Sequence, residues 1–168
     1  MDLGELVSLH QASLFAFLFR MSGDRTVAED LMQETFVRAL RASATYRPEG
    51  KVSAWLFSIA ANLCKDYWRR QAKRECAPLC DDSLERASGG APSPEDRLMQ
   101  KTDALLVRRA LLQLPVEQRS PLVLFYYHDM SYKEIAECLV LPVGTVRSRI
   151  HCGKERLKSL LEGAVVHD

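Results

Sequence analysis

Apolar residues return at intervals of three and four along nearly the whole chain, the spacing that an α-helix buried on one side requires. Leu6, Leu9, Ser13, Phe17 and Met21 recur in this way with Leu14 and Leu18 beside them, which predicts a helix over about 3–21 with that face inward. The run "SGDR" interrupts the pattern, and Asp24 is placed to cap a second helix over about 26–42. There Val27, Leu31, Phe36 and Leu40 should face inward, and Glu29, Asp30, Gln33, Glu34 and Arg38 outward. After the loop "ATYRPEGK", a third helix over about 52–74 opens apolar with "WLFSIA" and closes basic with "KDYWRRQAKR". Such a change along one helix implies two neighbours, a core at one end and a polyanion at the other.

The helical stripe is lost over residues 75–95, where Gly, Pro, Ser and Asp predominate, and this stretch reads as a linker. Ser93, Pro94 and Asp96 then supply an N-cap, a first-turn proline and a first-turn acid for a helix reaching about Gln113. A shorter helix follows over about 116–128; Pro121 lacks an N–H to donate, so either the helix bends there or, the preferred expectation, its regular part begins near Ser120. The fold class is therefore all-α: two small helical domains, 1–74 and 96–168, joined by a flexible acidic linker at 75–95.

The second domain carries the most specific local pattern. Ser131 with Glu134 three residues on forms a capping box at the head of "SYKEIAECL", where Ile135, Ala136 and Leu139 form the buried side. The turn "VLPV" leads into a helix beginning near Pro142, with Val146, Ile150 and Leu157 inward and Thr145, Arg147, Ser148, Arg149 and His151 facing elsewhere. The small side chain of Ala136 lets the two helices cross closely, which predicts a helix-turn-helix with its cation-headed second helix suited to the major groove of DNA. An ordinary helical hairpin with a solvated charged face is the competing reading.

Overall charge says little, because 23 Lys and Arg stand against 22 Asp and Glu, a net +1. Its distribution says more. Residues 51–74 hold six basic groups and one acidic, residues 75–100 two and six, and residues 145–160 five and one, so two basic islands flank an acidic spacer. The five cysteines are an odd number, and neither a signal peptide nor a membrane-length apolar run is present, which points to a reducing cytoplasm. Cys76 and Cys80 have the spacing of half a zinc site, yet no nearby His or second pair completes four ligands. With no Gly-rich phosphate loop, no metal quartet and no paired His and carboxylate on one segment, the sequence predicts no enzyme, no metal, no cofactor and no small-molecule substrate.

The segment "SYKEIAECLVLPVGTVRSRIHCGKERLKSLL" resembles the carboxy-terminal domain of extracytoplasmic-function (ECF) sigma factors, the small promoter-recognition subunits of bacterial RNA polymerase. "AEDLMQETFVRAL" and "AWLFSIAANLCKDYWRR" resemble the amino-terminal domain of the same family, in the right order and at the right separation. The family pattern places Gly in the helix-turn-helix turn near Val140, where this chain has "LVLP". The resemblance implies that Asp30, Gln33 and Glu34 contact the clamp helices of core RNA polymerase. It implies a minus-ten surface in which Tyr46, Trp55 and Asn62 form a pocket for an unpaired base, bounded by the "RPEGK" loop with Arg47 and Lys51. Lys65, Trp68, Arg69, Arg70, Lys73 and Arg74 would follow phosphates. Taken by itself, Trp55 reads as a core residue.

The minus-35 surface would be the second helix of the helix-turn-helix. Arg147 and Arg149, two apart, point about 200° from each other, so one reads a base or its flank while the other holds phosphate. Arg147, Ser148 and His151 share the base side, with Thr145, Lys154 and Arg156 on the backbone. An anti-sigma factor, often membrane-linked in the family, is the expected antagonist. A freestanding helix-turn-helix regulator is the alternative, and would leave the basic, aromatic third helix without a task; a polymerase-binding decoy would have no use for "NLCKDYWRR".

Overall fold

The structure, a computed structural model, describes residues 3–43, 51–75 and 98–165. These form seven helices: α1 (Leu3–Ser22), α2 (Arg25–Ala42), α3 (Val52–Glu75), α4 (Leu98–Leu112), α5 (Val116–Tyr127), α6 (Tyr132–Leu139) and α7 (Val143–Val165). Among the described residues there is no strand, as the periodicity predicts. Helix α3 takes in Glu75, the first residue of the expected linker; residues 76–95, with the proposed start at Ser93 and Pro94, lie outside the described residues, as do Tyr46, Arg47, Cys76 and Cys80.

Helix ends follow local chemistry. Gly23 takes a left-handed φ of 76° and donates its N–H to Phe19 O at 2.8 Å, closing α1 where an L side chain would be strained. Asp24 then caps α2 by accepting from Val27 N at 3.0 Å. The capping box forms as read: Ser131 Oγ accepts from Glu134 N at 3.2 Å, and Glu134 Oε2 accepts from Ser131 N at 2.9 Å.

Helix α5 begins at Val116 rather than near Ser120. The first turn is closed from outside, because Pro115 O accepts from Gln118 N at 3.0 Å and Arg119 N at 2.9 Å. Pro121 sits beyond that turn and removes only its own backbone donor, while Leu122, Val123 and Leu124 behind it are fully buried.

Helices α1–α3 pack on one another through Leu14, Phe17, Leu18 and Met21 of α1, Ala28, Leu31 and Ala39 of α2, and Leu56, Ala60, Leu63 and Cys64 of α3. Leu9 departs from the expectation, being 69% exposed. At 100° per residue it lies about 130° from the centre of the Leu14, Phe17, Leu18 and Met21 stripe. Leu40, 51% exposed, also departs. The buried face of α2 is set instead by Ala28, Leu31, Thr35 and Ala39, mostly small residues that allow α2 close to its neighbours, and Leu40 is turned outward.

The second unit packs α4 and α5 around α7 and crosses α6 over α7, with Ile135, Ala136, Cys138, Val146 and Ile150 buried. Ala136 meets the expected close crossing. The two units are also packed against each other, α1 on α4 and α5, and α3 on α5 and α6, so that a continuous apolar core runs through both.

Candidate polymerase and nucleic-acid interfaces

On α2, Asp30, Gln33, Val37 and Leu40 are exposed along one side, at the 3, 4, 3 spacing of a single helical face. Glu34 lies within this row and accepts from Arg38 Nε at 2.7 Å; Arg25 and Glu29 pair likewise at 2.9 Å. Val37, 40% exposed, and Leu40 were not among the expected contact residues. They extend the acid and amide row into an apolar one, and their signal in the sequence was the surplus of apolar residues over what α2 buries.

Helix α3 brings Asn62, Lys65, Arg69 and Lys73 to one exposed side, again at spacings of three and four. Asp66 moderates this row: its carboxylate accepts from Arg69 Nη1 at 3.2 Å, and its backbone carbonyl from Arg70 Nε at 3.3 Å. Trp55 is half-buried against the core. Trp68 is turned away from the row; its indole N–H donates to Met21 O at 2.9 Å, and its ring lies edge-on to Tyr67 at 5.3 Å between centroids.

In the helix-turn-helix, burial of Val146 and Ile150 against α6 leaves Arg147, Ser148, His151 and Lys154 exposed and Thr145 half-exposed. The Arg147 guanidinium lies 5.6 Å from the centre of the Tyr132 ring, and Ser148 Oγ donates to Thr145 O at 3.0 Å. Arg149 points elsewhere: it is half-buried and lines a cleft with Asn62, Lys65, Glu117, Leu139 and Leu141. The two arginines thus diverge as their spacing requires.

Val140 forms the turn in left-handed geometry, φ 54° and ψ 54°, and Leu141 N donates to Ala136 O at 2.9 Å to close it. Glu134 also meets Lys51 Nζ at 2.5 Å. That hydrogen bond, with those from Ser131, holds the Glu134 carboxyl down to about 2, and Lys51 is correspondingly raised by Glu134.

Arg119 is a buried charged residue that periodicity alone did not single out. It is only 3% exposed, donates to the carbonyls of Met21, Leu112 and Leu114, and lies 4.9 Å from the centre of the Trp68 ring. Burial lowers its pKa to about 10, which leaves it charged at neutral pH. No group of three or more His, Cys, Asp or Glu able to hold a metal occurs among the described residues, and no described helix is long and apolar enough to cross a membrane.

Residues 6–74 match Sigma-70 region 2, and residues 104–157 match Sigma-70, region 4. The chain is 31% identical to the ECF RNA polymerase sigma factor SigW of Bacillus subtilis, across 94% of this chain and 87% of that protein. It belongs to the ECF sigma factor family. This sigma factor is also 35% identical to SigL of Mycobacterium tuberculosis, across 91% of its own length and 85% of that protein. To SigE of Mycolicibacterium smegmatis it is 37% identical over 157 residues, 94% of its own length but 60% of the relative's.

Among solved structures, CnrH in complex with the cytosolic domain of CnrY superposes on this sigma factor with a TM-score of 0.71 at 27% identity, covering 96% of this chain and 88% of that one. The sigma factor RpoE from Bartonella quintana, in complex with the anti-sigma factor NepR, gives 0.72 at 24% identity, covering 95% and 96%, and shares the fold.

Proposed function

We propose that this sigma factor binds core RNA polymerase through the exposed face of α2 and directs promoter-specific initiation by reading two DNA elements with two surfaces. The observation that carries the reading is the division of exposed chemistry over regions 2 and 4. A basic and amide row, Asn62, Lys65, Arg69 and Lys73, occupies α3, and a helix-turn-helix presents Arg147, Ser148, His151 and Lys154.

For the polymerase, Asp30, Gln33 and Glu34 supply polar contacts, and Val37 and Leu40 add apolar area that water otherwise covers. For the minus-ten element, Asn62 offers both donors and an acceptor to a base edge, while Lys65, Arg69, Arg70 and Lys73 follow phosphates. Flipping a base out of the stack costs a few kcal/mol, which capture must return by stacking and edge hydrogen bonds. Tyr46, Arg47 and Lys51 belong to the loop that would close this pocket. The chemistry is binding energy used for strand separation, with no covalent step assigned to the chain.

For the minus-35 element, Arg147, Ser148 and His151 face the bases, and Thr145, Lys154 and Arg149 the backbone. An anti-sigma factor, as NepR is to RpoE of Bartonella quintana in their solved complex, is the antagonist assigned to this chain, and the cytoplasm its place of action. Run-off transcription tests the reading: purified core polymerase and a pool of promoter fragments should yield specific transcripts only with this protein. Those transcripts should be lost on Asn62→Ala or Arg147→Ala. Tight binding to duplex fragments without polymerase, with no transcript when polymerase is added, would instead establish a freestanding regulator.

A further inference from the structure

Three aromatic rings and one guanidinium adjoin in the second unit. Tyr132 is the first residue of α6, and its ring stacks on Phe125 of α5, 4.9 Å between centres with the planes 15° apart. Phe125 in turn meets Tyr126 edge-on at 5.0 Å. The Arg147 guanidinium of α7 stands over the Tyr132 ring, 5.6 Å from its centre.

Local chemistry and packing fix the ring. The capping box of Ser131 and Glu134 sets where α6 starts, and so the direction in which Tyr132 leaves the backbone. One turn on, Ile135 and Ala136 are buried, as is Val146 beside Arg147, which sets the register of α6 on α7. Phe125 and Tyr132 are themselves half-buried against the core. Arg147 is different. It is exposed, and no carboxylate among the described residues forms an ion pair with it.

A long, exposed side chain samples many rotamers, and closing it on one base edge costs that freedom. Standing over an aromatic face restricts the guanidinium while consuming none of its N–H donors, which lie in the guanidinium plane and point outward. Donors kept free in this way can meet the O6 and N7 acceptors of one guanine as a pair of hydrogen bonds. An ion pair would also have held Arg147, but it would have taken up those same donors.

We propose that Tyr132 is a positioning residue for minus-35 recognition: stacked on Phe125, its ring holds the Arg147 guanidinium ready for a guanine edge and so sets how strongly one base pair is read. The proposal rests on the minus-35 reading of Arg147 given above, and its test separates the two.

Holoenzyme binding to a library randomised across the minus-35 element gives the preference at each base pair as a ratio among bound sequences, a quantity that the fraction of folded protein does not change. Arg147→Ala should identify the base pair Arg147 reads by abolishing the preference for guanine there. Tyr132→Leu should weaken that preference about two- to fivefold, the factor an exposed cation–π contact carries, and leave the other base pairs and the salt slope unchanged. Tyr132→Phe keeps the ring and should retain the preference, whereas Phe125→Leu removes the stacking partner and should weaken it in part. In an Arg147→Ala background, Tyr132→Leu should change nothing further at that base pair. An unchanged preference in Tyr132→Leu, an even loss over all base pairs, or an equal loss in Tyr132→Phe overturns the positioning role and leaves the reading by Arg147 intact. Wild-type preferences at every base pair in Arg147→Ala overturn that reading and the proposal with it.

Discussion

Arg147 and Lys154 differ in what their loss removes. Arg147 stands on the face left open when Val146 and Ile150 are buried, where a guanidinium can meet a base edge in two places; Lys154, two turns on, offers a single mobile charge. Arg147→Ala should therefore cost about 1–3 kcal/mol at particular minus-35 positions, whereas Lys154→Ala should weaken all sequences alike and reduce the salt slope by about one. Holoenzyme binding to a randomised minus-35 library at two salt concentrations distinguishes these outcomes. Val140 shows a different residue-level cost. A β-branched side chain in left-handed geometry is strained by about 1–2 kcal/mol, and at 83% exposure it gains little packing in return. Glycine relieves the strain but gives back about 0.5–1 kcal/mol in unfolded-chain entropy. Val140→Gly should stabilise the protein by about 0.5 kcal/mol, read as a higher urea midpoint at constant m-value. The sequence already marked this position, because "LVLP" occupies a turn in which the family resemblance expects glycine.

At the scale of elements, helix existence and order were legible, and the faces were legible where one neighbour dominates. The buried Phe17, Met21, Val146 and Ile150 fall where periodicity places them. Leu9 and Leu40 do not, because an apolar stripe shows only that a helix has partners. Which partner takes which side depends on neighbours distant in sequence. Gly153 was likewise unreadable by itself: within α7 it resembles any helical glycine, yet a Cβ there would stand 3.0 Å from Leu122 Cδ1 and 3.4 Å from Gln118 O. It lets α7 lie close on α5. For Gly153→Ala, a gain in helix propensity of about 1 kcal/mol opposes the tight contact, so the change should be nearly neutral. Gly153→Val should overpack the crossing and cost about 1–3 kcal/mol in urea unfolding.

Across the whole molecule, the contact between units carries a pH signature. Burial, with Arg20 nearby and only Asp129 opposing, lowers His128 from 6.5 to about 4. The unfolded chain then binds more protons between those values, so stability is fully present above about pH 6.5 and falls as pH drops towards 4. Glu134 acts in the same direction at lower pH, its contribution being lost between about 4.5 and about 2. Wild type should lose thermal stability between pH 7 and pH 5, by about 2–4 °C for each kcal/mol removed. His128→Phe, which keeps an aromatic ring beside Phe17 and Phe57, should flatten that dependence. Equal slopes in the two proteins would place the titrating group elsewhere.

The sequence by itself determined seven helical segments, their order, the capping box, the helix-turn-helix and the division of charge into two basic islands, because each follows from interactions within a few residues along the chain. It pointed to the sigma family through three blocks of such residues in order. Only the packing of distant helices buries Arg119 beside the Trp68 ring, brings Lys51 to Glu134, and turns Arg149 but not Arg147 towards α3. Those outcomes depend on groups such as Arg119 and Met21, 98 residues apart, whose meeting no local period encodes. Burial of the Arg119 cation needs the carbonyls of separate helix ends to converge on it, and that convergence belongs to the assembled molecule.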